Sequence, residues 1–117
     1  MSHTEHNPAC GDRVTVDLRV EDGRVAAIAC DTRACVLTQA SASILGSSLA
    51  GCGHAELEDL RQAVHDMLRG GPAPAKPFER YRHLADVAKH PGRHTCVLLP
   101  IDAALKALAN SDAAKPG

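Results

Sequence analysis

Residues 13–30 run Arg13-Val14-Thr15-Val16-Asp17-Leu18-Arg19-Val20-Glu21-Asp22-Gly23-Arg24-Val25-Ala26-Ala27-Ile28-Ala29-Cys30. From Arg13 to Val20 apolar and polar residues alternate strictly. A strand built from them places Val14, Val16, Leu18 and Val20 on one face and Arg13, Thr15, Asp17 and Arg19 on the other. Glu21 to Arg24 makes a short turn in which Gly23 is free to take positive φ, and Val25 to Cys30 reads as the returning strand of a hairpin. One face of that hairpin is dry, so the rest of the chain has to cover it.

The residues downstream are helical in pattern. Val36 to Leu49 places Leu37, Ala40, Ile44 and Ser48 at near-helical spacing, and Gly51 offers a C-terminal stop. Its small side chains allow close packing. Ala55 to Arg69 is amphipathic, with Leu57, Leu60, Val64, Met67 and Leu68 on one stripe. Gly70 to Pro77 contains three prolines and is expected to be a loop within the domain. Phe78, Tyr81, Leu84 and Val87 recur at every third residue and predict a short helix ending before Pro91-Gly92. Pro100 is suited to the first turn of a helix over Ile101–Ala109, and residues 111–117 are expected to fray. The whole of residues 1–117 is expected to form one domain, without internal repeats.

Composition narrows the function. The 117 residues carry a formal net charge of −1, one Phe, one Tyr and no Trp. Such a chain has no counterion-release term to drive phosphate-backbone binding and no aromatic platform for bases, so nucleic acid is not an expected partner. No apolar run approaches the roughly 18 residues of a membrane span, and Met1 to Pro8 lack the basic and apolar segments of a signal peptide. The expected location is the cytoplasm, with no membrane partner. Of the residues counted as hydrophobic, 20 are Ala and 23 are Val, Ile or Leu, so the core is made of small side chains. A chain of this size still buries roughly two-thirds of its unfolded surface and needs no disulfides to fold. Five cysteines in a reducing compartment therefore point to metal or sulfur chemistry.

No Cys-x-x-Cys or zinc-finger spacing is present, so a site has to be assembled from distant segments. Cys30 continues an apolar strand and Cys52 lies in a connector between glycines; both read as small buried hydrophobes. Cys10 differs, because Gly11 and Asp12 beside it form a tight polar loop in which the carboxylate lies two residues from the thiol. Cys35 opens the small-residue helix, where unpaired amides and the positive end of the macrodipole favour an anionic sulfur. Cys96 lies in Arg93-His94-Thr95-Cys96, between two predicted helices. Of the histidines, His94, two residues from Cys96, is kept as a residue that could share its metal, and the others read as solvated.

Three segments, taken in order, resemble a known family. They are Asn7-Pro8-Ala9-Cys10-Gly11-Asp12, then Cys35-Val36-Leu37-Thr38-Gln39-Ala40-Ser41-Ala42-Ser43, then Arg93-His94-Thr95-Cys96-Val97-Leu98-Leu99-Pro100 followed by Ala104-Leu105. Their spacing resembles that of the iron–sulfur cluster assembly scaffolds of the IscU, SufU and NifU N-terminal type over about residues 7 to 109. The Arg-x-x-Cys and Leu-Pro pattern resembles the SufU branch of the SUF system more than the IscU branch, whose His directly before the last cysteine and Leu-Pro-Pro-Val-Lys segment are missing, so the Hsp70 chaperone that reads that segment is not an expected partner. Thr32-Arg33-Ala34 stands where the family has Gly-x-Gly, which sets a guanidinium next to the Cys35 thiol.

The resemblance implies an α+β fold, a small antiparallel sheet of about three strands packed against several helices. It implies that Cys10, Asp12, Cys35 and Cys96 converge on one exposed site; His94 is a further candidate ligand, and the sequence does not decide whether His94 or Arg93 enters the site. Three thiolates and a carboxylate suit zinc or the irons of a [2Fe–2S] cluster, and the carboxylate is the harder, weaker ligand. Cys35 is implied as the sulfur acceptor from a PLP-dependent cysteine desulfurase of the SufS type. The expected function is a non-enzymatic scaffold that assembles a labile [2Fe–2S] cluster and passes it to acceptor apo-proteins. The alternative is a zinc-dependent persulfide acceptor using the same residues, and the plainest reading is a small domain with incidental cysteines.

Overall fold

A computed structural model describes residues 2–7, 11–75 and 78–114. The hairpin forms as the alternation requires. Strand β2 spans Asp12–Glu21 and pairs antiparallel with β3, Arg24–Arg33. Asp22 and Gly23 turn the chain with φ of 54° and 76°, the positive values that a two-residue hairpin turn matching strand twist demands. Along β2 the residues Asp12, Val14, Val16 and Leu18 are buried, while Arg13, Asp17 and Arg19 are exposed.

The returning strand contains a bulge. Arg19 pairs with Ala27 but Val20 pairs with Val25, leaving Ala26 as an extra residue. The insertion flips the side-chain phase, so Val25 and Ile28 both turn inward although they are three residues apart. β3 also runs on through Thr32 and Arg33, opposite Val14 and Arg13. Thr32 and Arg33 thus continue a regular ladder, and Ala34 lies beyond its end.

A third strand, β1, spans Ser2–Asn7 and pairs antiparallel with β2, giving the sheet order β1-β2-β3. Its sequence Ser-His-Thr-Glu-His-Asn has no apolar alternation. It is an edge strand held by the backbone ladder, by the Thr4–Thr15 hydroxyl pair at 2.8 Å and by Lys106 Nζ to Glu5 Oε2 at 2.6 Å.

Helix α1 spans Val36–Ser48 and α2 spans His54–Leu68, as their periodicities predict. Between them the Cys52 carbonyl accepts the Val25 N–H at 2.8 Å, and the Gly51 N–H donates to the Val25 carbonyl at 2.8 Å, tying the connector to the hairpin. The three-residue spacing of Phe78, Tyr81, Leu84 and Val87 produces a 3₁₀ helix, Glu79–Lys89. With three residues per turn it lines those four up on one buried edge.

The last helix departs from expectation. It begins at His94, not at Ile101, and runs to Ala114 as α3 with Pro100 inside it. Cys96 accordingly lies in the first turn of α3 and not in a connector. Residues 111–114 continue the helix, and 115–117 lie outside the described residues. α3 packs against β1, β2, α1 and α2, and residues 96–101 are buried on every side, as a helix that is apolar all round should be. One core joins Val14, Val16 and Leu18 of the sheet to Leu45, Leu57, Val64, Tyr81, Val97 and Ile101. Among the described residues no helix is long and apolar enough to cross a membrane.

Candidate metal centre

The strand register sets the geometry of the site. Arg13 pairs with Arg33, so Asp12 stands beside the segment that leaves β3 and enters α1. Asp12 shares the inward face with Val14 and is only 5 % exposed. Gly11 precedes it with φ of 70°, the left-handed conformation that glycine adopts without strain. The buried carboxylate has a partner in place: Asp12 Oδ1 accepts the backbone N–H of Cys35 at 3.2 Å. Cys35 is the N-cap residue of α1, and its own side chain makes no capping bond. A carboxylate from the neighbouring strand thus satisfies an amide at the start of the helix, where its negative charge also complements the helix dipole.

Cys96 completes the group from above the sheet. The Asp12 carboxylate and the Cys35 and Cys96 sulfurs offer ligand atoms that all lie within 4.8 Å of one another. They come from β2, the start of α1 and the first turn of α3, three elements that meet at one end of the sheet. The donors are those that zinc or an iron of an iron–sulfur cluster accepts, two soft sulfurs and one hard oxygen. Cys10, expected as a further ligand, lies outside the described residues.

The three residues differ in access. Cys96 is 0 % exposed and Asp12 nearly so, whereas Cys35 keeps part of its surface open. Val36, next to Cys35, is 78 % exposed.

His94 does not join the group. Two residues along a helix correspond to about 200° of rotation, so His94 and Cys96 occupy opposite sides of α3. The His94 ring faces the Ala88 carbonyl, with Nε2 at 3.4 Å. Arg93 is exposed and lines a surface hollow with Leu37, Val87 and His90.

Cys30 and Cys52 stand elsewhere. Burial raises the pKa of the Cys30 thiol. Burial, followed by the nearby Glu56 carboxylate, raises that of Cys52. Both favour the neutral thiol, the form suited to packing.

Sequence reasoning missed two hydroxyl residues. Thr38, 0 % exposed, donates from Oγ1 to the Cys96 carbonyl at 2.9 Å; the same atom is 3.3 Å from Asp12 Oδ2 and 3.5 Å from Cys35 Sγ. Ser41 Oγ donates to the Val97 carbonyl at 2.6 Å, and Tyr81 donates to the Ser41 carbonyl at 3.1 Å. The available signal was Pro100, four residues after Cys96: once α3 is known to start before it, a helix carbonyl at Cys96 needs a donor from elsewhere.

Comparison with known proteins agrees with this architecture. The family model of the NifU-like N terminal domain matches residues 2–89. An iron-sulfur cluster assembly scaffold protein IscU from Thermotoga maritima is 31% identical over 93 residues, covering 80% of this chain and 66% of that protein. The chain spans about two thirds of the length of the curated relatives it matches. The crystal structure of a nitrogen-fixing NifU-like protein (N-terminal) from Brucella abortus superposes with a TM-score of 0.93 at 33% identity, over 98% of this chain and 81% of that one. A protein described as an iron-sulfur cluster assembly scaffold for the SUF system, from Fervidobacterium islandicum AW-1, superposes with a TM-score of 0.82 over 92% of this chain and 79% of its own. At 22% identity that likeness establishes a shared fold alone. The three-stranded α+β fold and the match to residues 2–89 together make this chain a member of the NifU-like N-terminal domain family.

Proposed function

We propose that the chain is an iron–sulfur cluster assembly scaffold that accepts sulfur at Cys35, builds a labile [2Fe–2S] cluster on Cys10, Asp12, Cys35 and Cys96, and passes it to acceptor apo-proteins. The observation that carries this reading is the convergence of the Asp12, Cys35 and Cys96 ligand atoms within 4.8 Å. A carboxylate among thiolates supports release, because oxygen is the weaker ligand for iron in a soft donor set. The scaffold function of the IscU relative supports it as well.

Exposure distributes the roles. A partner's sulfur can reach the partly open Cys35, whereas Cys96 is enclosed. In the transfer, the Cys35 thiolate attacks the terminal sulfur of a persulfide on a PLP-dependent cysteine desulfurase of the SufS type. A new S–S bond forms on Cys35, the desulfurase S–S bond breaks, and the desulfurase cysteine leaves as a thiolate, with no net oxidation. The cluster is cargo: the chain supplies ligands and a nucleophile, and an external dithiol, oxidised to its disulfide, supplies the two electrons that release each persulfide sulfur as the sulfide of the cluster.

Anaerobic incubation with a cysteine desulfurase, cysteine, a dithiol reductant and ferrous iron tests the reading. The expected result is the absorbance and Mössbauer spectrum of a [2Fe–2S] centre. Protein that retains tightly bound zinc from its purification and gains persulfide sulfur in that incubation, with no cluster, replaces the scaffold with the zinc-dependent sulfur acceptor.

A further inference from the structure

We propose that Thr38 is a positioning residue for this site: its hydroxyl gives the Cys96 carbonyl the hydrogen bond that Pro100 withholds, and so fixes the turn of α3 that carries the Cys96 sulfur. The inference rests on reading Asp12, Cys35 and Cys96 as one ligand set.

In a regular α-helix the carbonyl of residue 96 accepts from the N–H of residue 100. Proline has no N–H, and its ring crowds that same carbonyl. Residues 96–101 are buried, so water does not make up the loss, and an unsatisfied buried carbonyl is costly. The donor comes from α1: Thr38 Oγ1 lies 2.9 Å from Cys96 O. One turn further along α1, Ser41 Oγ serves the Val97 carbonyl at 2.6 Å. The interruption in α3 is thus met by Thr38, and Ser41 on the same face of α1 adds a second tie to the next residue, which locks the two helices in register.

That lock also sets the site. Cys35 stands three residues before Thr38, and the Thr38 oxygen contacts Cys35 Sγ, Asp12 Oδ2 and the Cys96 backbone. A helix turn at Cys96 that lost the Thr38 hydrogen bond would shift and take its sulfur with it. Thr38 holds the turn without itself being a ligand of a soft metal.

The test is a cycle of Thr38→Val, Thr38→Ser, Pro100→Ala and the Thr38→Val/Pro100→Ala double variant. Urea unfolding is followed without metal, and anaerobic Co²⁺ titration is followed by thiolate-to-cobalt charge-transfer absorption. In the Pro100 background, Thr38→Val is expected to lower the urea midpoint, to weaken Co²⁺ binding about tenfold and to reduce the charge-transfer band. Thr38→Ser, which keeps the hydroxyl, is expected to stay within about threefold of wild type. In the Pro100→Ala background residue 100 regains its N–H, and the binding cost of losing the hydroxyl is expected to fall below about twofold. Equal costs of Thr38→Val in the two backgrounds overturn the proposal, as does a Thr38→Ser variant that behaves like Thr38→Val. Wild-type protein that binds no Co²⁺ overturns the ligand reading, and the positioning role with it; the urea cycle is independent of metal and by itself decides whether the hydroxyl stands in for the missing N–H.

Discussion

Asp12 has two tasks that a single substitution confuses. As a proposed ligand it is the weak donor, and as a structural group it accepts the Cys35 N–H at the start of α1. Asp12→Ala removes both, and loss of an N-terminal cap costs about 1 kcal/mol. Asp12→Asn keeps an acceptor oxygen for the amide and removes the charge. Stability by urea unfolding is therefore expected to drop for Asp12→Ala and to stay near wild type for Asp12→Asn, whereas both slow the loss of a reconstituted cluster. Identical cluster lifetimes in all three proteins contradict the labile-ligand role. The cysteines separate similarly. Mass spectrometry after a single desulfurase turnover is expected to find one added sulfur on wild type, Cys96→Ser and Cys52→Ser and none on Cys35→Ser, because Cys35 is the open member of the pair and Cys96 is enclosed. A sulfur-bearing Cys35→Ser chain moves the point of entry elsewhere.

At the scale of elements, the hairpin turn is the most exposed to a backbone change. Gly23 holds φ of 76° with open space where a Cβ would stand, so Gly23→Ala meets no clash and reports conformational strain alone, expected at about 1 kcal/mol and read as a lower urea midpoint. The hairpin, α2 and the 3₁₀ helix were legible because each carries a strong local period, two in Arg13–Val20, near 3.6 in Ala55–Arg69 and three in Phe78–Val87, and α1 was legible from near-helical spacing that ends at Gly51. Three features were hidden for physical reasons. β1 is polar on both faces and is held by the ladder and by Lys106, a partner about a hundred residues away. The bulge at Ala26 leaves a run of small apolar residues that reads equally well in either phase. The start of α3 was obscured by Pro100, which normally marks a first turn. Here it sits mid-helix because the Thr38 hydroxyl on another element supplies what it lacks. The ligand segments were recognisable from their spacing. The supporting Thr38 and Ser41 were not, since their role exists only once α1 and α3 are packed.

For the whole molecule, Tyr81 in the core and the half-buried Cys30 packed against it define the alkaline limit. Tyr81 is 0 % exposed. Burial raises its phenol well above the ordinary range, against the smaller opposing effect of the Ser41 hydrogen bond and with a further upward push from Cys30. Burial likewise raises the Cys30 thiol. Both groups are therefore neutral in the fold at pH values where the unfolded chain has already released the proton. In that interval the native state binds more protons than the unfolded state, so stability falls as pH rises. The contribution is complete below the ordinary thiol and phenol values, about 8.5 and 10, and is lost progressively above them. Urea midpoints measured under reducing conditions from pH 7 to 11 are expected to decline in two stages. Cys30→Ala removes the decline that begins near the thiol value. Tyr81→Phe lowers the midpoint at neutral pH through loss of the Ser41 hydrogen bond, by about 1 kcal/mol, yet flattens the steeper decline above about pH 10. A Tyr81→Phe profile parallel to wild type throughout shows that the alkaline limit lies elsewhere. Because Tyr81 holds Ser41, and Ser41 holds the Val97 carbonyl beside Cys96, loss of this core at high pH should coincide with loss of Co²⁺ binding at the site, and the two transitions measured together test whether core and site unfold as one unit.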